Sequence, residues 1–188
     1  YTHEYLRYNT DYPENQNTAK VDNHYYQNDA FASASYAVRP WQWISFNVGY
    51  DARMSWLTAD LKHFSPVRRL DQKAVAAVQA QWRGLRLAAS ALYQHYKDYT
   101  DLKVGAADPL QKVTPSVTLG YSWRGLSARA WYKCIFRAPT LNDLYYTQAG
   151  NRNLKPEYTK QWNIGLEYNY LTARWMASAQ ADVYINHI

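Results

Sequence analysis

Gln161-Trp162-Asn163-Ile164-Gly165-Leu166-Glu167-Tyr168-Asn169-Tyr170 is the stretch that decides the fold. Its even positions are Trp162, Ile164, Leu166, Tyr168 and Tyr170. Its odd positions are Gln161, Asn163, Gly165, Glu167 and Asn169. A period of two is that of a strand with one apolar and one polar face. Outward from here the same alternation covers Ala173–Asn186, Ser127–Arg137, Lys112–Trp123, Arg86–Tyr96, Lys73–Arg83, Trp43–Met54 and Tyr26–Arg39. A ninth strand is expected to end near Tyr8. In the eight complete stretches the apolar register carries no Asp, Glu, Lys or Arg.

These strands of about 10 to 14 residues exceed the usual soluble strand of about 5–6. They match the about 9–11 residues that a tilted strand needs to cross a bilayer. The connections alternate in length. Residues 39–42, 82–85, 123–126 and 170–172 read as short turns, and residues 55–72, 97–111, 138–160 and 10–25 as long loops. Trp82-Arg83-Gly84-Leu85 recurs 41 residues later as Trp123-Arg124-Gly125-Leu126. Short turns on one side and long loops on the other mark a transmembrane β-barrel. The fold class read from this pattern is all-β, an antiparallel transmembrane barrel. The competing reading is a soluble sandwich, whose strands are shorter and whose inner face is bulkier.

Composition agrees. The chain has 188 residues, a net charge of +6, 19 Tyr, 8 Trp and 4 Phe. That aromatic load excludes disorder and suits boundaries where a ring is dry at one end and wet at the other. Trp82, Trp123, Tyr168, Tyr170 and Trp175 stand on the apolar register beside the short turns. They form one aromatic girdle. Tyr26, Tyr50 and Phe136 stand at the opposite strand ends. The mid-strand apolar residues are small, mostly alanine. No run of 18 apolar residues offers a membrane helix, and the first residues lack the apolar core of a signal peptide.

Catalytic motifs are not found. The five histidines, His3, His24, His63, His95 and His187, lack metal-ligand spacing, so no catalytic residue, metal or cofactor is expected, and no enzyme. Cys134, on the apolar register, reads as a lipid-facing small hydrophobe rather than a nucleophile. Asp98, Asp101 and Asp108 read as solvating their loop, with weak calcium binding as the alternative. The basic residues Arg39, Arg53, Arg83, Arg129, Lys133, Arg137 and Arg174 on the polar register have three readings. They guide an anionic substrate, pair with Asp29, Asp51, Glu167 and Asp182 on neighbouring strands, or contact a plug inside the barrel. They do not form the contiguous stripe that nucleic acid requires, so no nucleic-acid partner is expected.

The segment Phe136-Arg137-Ala138-Pro139, followed by Asn153-Leu154-Lys155-Pro156-Glu157, is the most specific one. Pro139 and Pro156 bracket a Tyr-rich loop and reduce its entropy. The first box resembles the Phe-Arg-Ala-Pro box of TonB-dependent outer-membrane receptors, and the second resembles their Asn-Leu-Lys-Pro-Glu box. Gly165-x-Glu167-Tyr168 and Asp182-Val183-Tyr184-Ile185-Asn186 are similar to the strands that follow.

The resemblance implies a 22-stranded barrel in a Gram-negative outer membrane, of which residues 1–188 supply about nine strands as a partial barrel domain. Plug, TonB box and C-terminal strands are expected to lie outside this chain. It implies TonB as a partner through the plug, and uptake of a large scarce nutrient. Haem receptors of the family place a ligand histidine between the two boxes, and here none stands between Phe136 and Leu154. Tyr25-Tyr26, Ser65-Pro66-Val67-Arg68, Thr114-Pro115-Ser116-Val117, Tyr132-Lys133 and Asn142-Asp143-Leu144-Tyr145-Tyr146 are together similar to cobalamin receptors of the Bacteroidetes type. Cobalamin or another corrinoid is therefore the expected ligand, with a ferric siderophore as runner-up and a surface lipoprotein cap as a further partner. A small porin-like barrel is the competing function. Aromatic loop tips bury much area with few rotors to freeze. The candidate ligand contacts are accordingly Trp56, Tyr99, Asn142, Asp143, Tyr145 and Tyr146, with Arg137 at the rim. Packing of loop on loop is the other reading of each.

Overall fold

The computed structural model describes residues 1–10, 21–61, 64–101, 105–146 and 150–188, with strand residues 8–10 and 21 as backbone only. His63 and most of the loop read over 10–25 lie outside them. Nine strands follow one another: β1 (Thr2–Thr10), β2 (Val21–Trp41), β3 (Ile44–Ala59), β4 (Val67–Trp82), β5 (Leu85–Thr100), β6 (Leu110–Trp123), β7 (Leu126–Arg137), β8 (Glu157–Leu171) and β9 (Met176–His187). A single helical turn, α1 (Leu141–Tyr145), lies between β7 and β8. The strands form one sheet in sequence order, every neighbouring pair antiparallel. Among the described residues β1 and β9 are its two edges.

The registers keep the sequence pattern on one face. Tyr50 faces Ala74, Ala76 faces Ala91, Leu87 faces Leu119, and Leu166 faces Ala181. Most of this face is exposed, including Phe46, Val48, Trp82, Leu119, Trp123, Ile164 and Val183. A wall of exposed, evenly spread apolar side chains is stable only against an apolar surrounding.

The strands are longer than expected. β3, β4 and β5 each have 16 residues, about 50 Å at about 3.3 Å per residue. The hydrocarbon layer is about 30 Å thick. The surplus lies at the long-loop end, so the connections there shrink to residues 60–66, 101–109 and 138–156. In the upper strands the buried apolar residues, Tyr25, Leu57 and Val67, stand on the register that is polar lower down, so the alternation changes sides and these ends read as loop.

The short turns are tight. Arg83 and Gly84 have φ of 44° and 85°, as do Arg124 and Gly125. Two positive φ values in a two-residue hairpin match the twist of the strands. A Cβ on Gly84 would collide with the Ser122 carbonyl oxygen, and one on Gly125 with that of Asn169. Successive turns are also linked: Gln81 N–H donates to Trp43 O at 2.7 Å, Ser122 N–H to Gly84 O at 3.0 Å, and Asn169 N–H to Gly125 O at 2.8 Å. The first turn falls at Gln42–Trp43, after a register shift between Val38 and Trp41. Pro40, which has no N–H to give the ladder, stands inside that shift. The last turn occupies 172–175, so Trp175 precedes β9.

One pairing is incomplete. β6 and β7 pair only from Trp123↔Leu126 up to Ser116↔Lys133. Above that point β6 continues on β5 alone, up to Tyr96↔Leu110, and β7 on β8 alone, up to Arg137↔Glu157. Pro115 stands at the fork. Side chains replace the ladder beyond it: the Phe136 ring lies 6.3 Å from Tyr96, and Lys112 Nζ 4.5 Å from the Tyr158 ring. Cys134 is buried here instead of facing lipid. Tyr158 Oη donates to its sulfur at 3.2 Å, and Tyr132 Oη lies 2.9 Å from it.

Candidate functional site

The packed part of the molecule is at the long-loop end. Tyr25, Leu57, Val67, Leu141, Leu144 and Tyr145 form one buried cluster, with Ala59, Leu61, Phe64, Ala107 and Tyr146 against it. Burying a Leu side chain is worth about 1.5–3 kcal/mol, so Leu141 and Leu144 hold α1 down on the sheet. The helical turn begins with a capping box. Thr140 Oγ1 accepts from the Asp143 N–H at 3.2 Å, and Asp143 Oδ2 accepts from the Thr140 N–H at 2.9 Å. Those bonds from Thr140 hold the Asp143 carboxyl below its ordinary range. The chain then closes over the turn. Gly150 N–H donates to Tyr146 O and Asn151 N–H to Asp143 O, both at 2.8 Å. A Cβ on Gly150 would meet Tyr146 backbone atoms at 2.6 and 2.7 Å, so only glycine fits that approach.

Beneath α1 lies a buried polar knot. Arg69 of β4 grips Asp98 of β5 with two bonds, Nε to Oδ1 at 2.6 Å and Nη2 to Oδ2 at 2.8 Å. Its third arm, Nη1, donates to the Pro139 carbonyl at 2.6 Å. Tyr145 Oη donates to Asp98 Oδ2 at 2.8 Å and accepts from the Ala107 N–H at 2.9 Å. Burial pushes the Tyr145 phenol up to about 12, the Asp98 bond adds to this and the Ala107 amide opposes it. The phenol therefore stays a donor at any physiological pH. One bidentate pair thus ties two strands, the first box and the 105–109 segment together. A buried pair of this geometry is worth keeping only when all its bonds are made, and here each has a partner.

A cleft of about 290 Å³ opens beside the knot. Arg69, Tyr96, Asp98 and Asp108 line it together with the second box, Asn153-Leu154-Lys155-Pro156. Arg152 Nη1 donates to Gly105 O at 3.3 Å, and its Cζ lies 5.7 Å from the Tyr145 ring.

The sequence candidates divide among different places. Tyr145 is buried in the knot, and Tyr146 stacks on Tyr25 with ring centroids 4.0 Å apart. Burial also raises the Tyr146 phenol. Asp143 is exposed on α1. Asn142 is half-buried, and its Oδ1 has no donor among the described residues. Arg137 is exposed, 3.6 Å from Glu157, a pairing worth little in water. Trp56 and Tyr99 lie inside β3 and β5, not at loop tips. Both face Arg68 in the ladder, on the side opposite Arg69 and Asp98.

Of the acidic trio, Asp98 does not solvate its loop. It is buried and paired, whereas Asp101 and Asp108 are exposed. Among the lumen arginines, Arg129 takes the cross-strand reading and pairs with Asp182 at 2.7 Å. Arg69, the centre of the knot, was not among the sequence candidates. The signal for it is the alternation Val67, Arg69, Asp71, Lys73, which continues the polar register of β4 beyond the stretch read as strand.

A sequential meander of long antiparallel strands, apolar on one face and charged on the other, with tight turns at one end and folded loops at the other, defines a segment of β-barrel wall. The whole chain, residues 1–188, matches the family model described as TonB dependent receptor-like, beta-barrel, and the chain belongs to that family of receptor barrels. It is a transport and receptor family, with no enzymatic class attached, and its barrels belong to outer membranes.

The vitamin B12 transporter BtuB of Photobacterium profundum is 48% identical over 40 residues, 21% of this chain and 7% of that protein. BtuB of Vibrio vulnificus is 55% identical over 31 residues, 16% of this chain and 5% of that protein. Among solved structures, the FrpB iron transporter from Neisseria meningitidis (F5-1 variant) superposes with a TM-score of 0.66 at 14% identity, covering 89% of this chain and 30% of that one. The hemophore receptor HasR of Serratia marcescens, solved with its hemophore HasA and heme, gives 0.59 at 12% identity, covering 88% and 33%. At these identities the likeness speaks for the fold. The chain covers about a third of the length of those structures.

Proposed function

We propose that the chain is part of the wall and outward loops of a receptor that takes up cobalamin or a related corrinoid across a Gram-negative outer membrane. The observation that carries the reading is the folded loop between the two boxes, pinned by Arg69, Asp98 and Tyr145 beside a cleft at the end opposite the short turns. The short stretches shared with vitamin B12 transporters support the corrinoid in particular. A rigid, large nutrient is best held by a surface already ordered, because little entropy is then left to lose.

In this reading Asn142 and Asp143 on α1 and Tyr146 just after it, with Arg137 at the base of the loop, meet the ligand. Tyr145 positions them from beneath. Trp56 and Tyr99, on the far strand face, belong to the upper aromatic girdle and stay out of ligand contact. Residues 1–188 are read as a partial barrel domain. The plug and its TonB box, through which TonB acts, and a lipoprotein that caps the outer face are the proposed partners.

The test is a calorimetric titration of the natural gene product that carries this chain, purified in detergent, with cyanocobalamin and a ferric catecholate siderophore in parallel. Cobalamin binding that Tyr146→Ala weakens at least about tenfold, the range of a buried aromatic anchor, supports the reading. Tight siderophore binding with none to cobalamin overturns the corrinoid. Binding of neither, with ion conductance in planar bilayers, points to the porin-like function.

A further inference from the structure

The short-turn end has a chemistry that uptake does not use. Residues 38–46, 80–88, 121–127 and 169–177 contain these turns and the strand residues next to them. They hold Arg39, Arg83, Arg86, Arg124 and Arg174, and not one Asp, Glu or Lys. They also hold Trp41, Trp43, Trp82, Trp123 and Trp175, five of the eight tryptophans. Acidic side chains gather at the other end, where Asp60, Asp98, Asp101, Asp108, Asp143 and Glu157 stand.

Two of the arginines are placed at a cost. Arg83 and Arg124 are the non-glycine residues with positive φ among the described residues, both at 44°. That position of the turn is filled most easily by Asn or Gly. Both turns, 41 residues apart, nevertheless carry Arg. Each guanidinium lies over the tryptophan of its own turn, Arg83 Cζ 4.9 Å from the Trp82 ring and Arg124 Cζ 5.1 Å from that of Trp123. Neither makes an ion pair among the described residues. Both tryptophans are more than half exposed and stand on the apolar register. The two turns are neighbours along the rim, two strand spacings or about 10 Å apart, and the bond from Ser122 N–H to Gly84 O links one to the next.

A guanidinium laid on an indole face keeps its fork of N–H donors free for an oxyanion, and the indole ring is at home at the level of lipid headgroups. An exposed cation, an aromatic floor and turns without an acidic residue, with Glu167 facing Ser127 on the polar register, fit a phosphate at a membrane surface. We propose that Arg83 with Trp82, and Arg124 with Trp123, are paired sites for the phosphate of anionic phospholipids in the leaflet on the short-turn side, with Arg174 and Trp175 extending the row. The proposal rests on the reading of the sheet as membrane-barrel wall.

The test uses the natural gene product that carries this chain. Native mass spectrometry from detergent counts phosphatidylglycerol retained against phosphatidylcholine. The R83N/R124N variant keeps the turn, because Asn accepts positive φ. We expect wild type to prefer phosphatidylglycerol and to lose that preference in high salt. The variant should bind it about 25-fold more weakly, about fivefold per arginine, with its heat-modifiable gel mobility and nutrient titration unchanged. Equal retention of the two lipids by wild type, a preference indifferent to salt, or a folded variant with wild-type retention would each overturn the proposal. A protein that does not insert into bilayers at all overturns the barrel reading with it, whereas insertion without lipid preference overturns this inference alone.

Discussion

The two ends of the sheet are held by different means. At the short-turn end the backbone does the work: positive-φ hairpins and turn-to-turn bonds such as Ser122 N–H to Gly84 O recur with the sequence repeat, while the side chains around them stay exposed. At the long-loop end side chains do it: Arg69, Asp98 and Tyr145 join segments far apart in sequence over a buried apolar cluster. A repeated backbone solution can be lengthened strand by strand without changing its parts. A side-chain knot is particular to one loop, and a loop built that way can differ between receptors while the wall stays the same.

The largest effect separating the ends is expected from Asp98→Ala. It strands the buried Arg69 guanidinium, at a cost of about 3–5 kcal/mol. Amide exchange should rise steeply over residues 138–146 and stay near wild type over the short turns; a uniform rise would mean the two ends are not independent. Gly125→Ala reverses the pattern. It forces a Cβ into φ +85° and onto the Asn169 carbonyl, costing at least about 2 kcal/mol. The unfolding midpoint in lipid should drop with the 138–146 amides unaffected below it.

Tyr145→Phe is milder, about 1.5 kcal/mol, because it removes one bond to a charged acceptor and leaves the Ala107 amide without its partner. It should loosen both 105–109 and 138–146, which an unconnected pair of loops would not do. The smallest effect is that of the cap. Thr140→Ala costs about 1 kcal/mol. Asp143 has a lowered folded value, so its share is complete above the ordinary aspartate value of about 3.9 and is lost as pH falls through the depressed one. Exchange over 140–146, corrected for the intrinsic rate, should be flat from pH 7 to about 5 and rise below about 4. Asp143→Asn should abolish that step.

Most of the wall could be read from the chain because lipid demands an apolar register, and Trp162, Ile164, Leu166 and Tyr168 keep it without exception. The short turns were legible for the same reason: Trp-Arg-Gly-Leu repeats. The knot was not. Arg69 and Asp98 lie on strands that rise above the apolar layer, where one register mixes buried apolar residues such as Leu57 and Val67 with charged ones, so the simple apolar–polar period is lost. Tyr145 and Tyr146 were visible as an aromatic pair, but composition cannot say which of two adjacent tyrosines turns inward. The helical register of α1 decides that, and the Thr140–Asp143 cap that sets it is a signal the loop reading passed over.

The fork between β6 and β7 gives the loop its mechanical setting. The wall behaves as a closed fabric only up to Ser116 and Lys133. Above that the side of β7 that faces β6 has no ladder, and β7, α1 and β8 are tied across the gap by side chains: Phe136 on Tyr96, Lys112 on Tyr158 and Arg69 on Pro139. A push on α1 is therefore passed to β6 and its neighbours through these side chains and not through a ladder. The load falls on a few releasable side-chain stays, while the β5–β6 and β7–β8 ladders on either side stay paired.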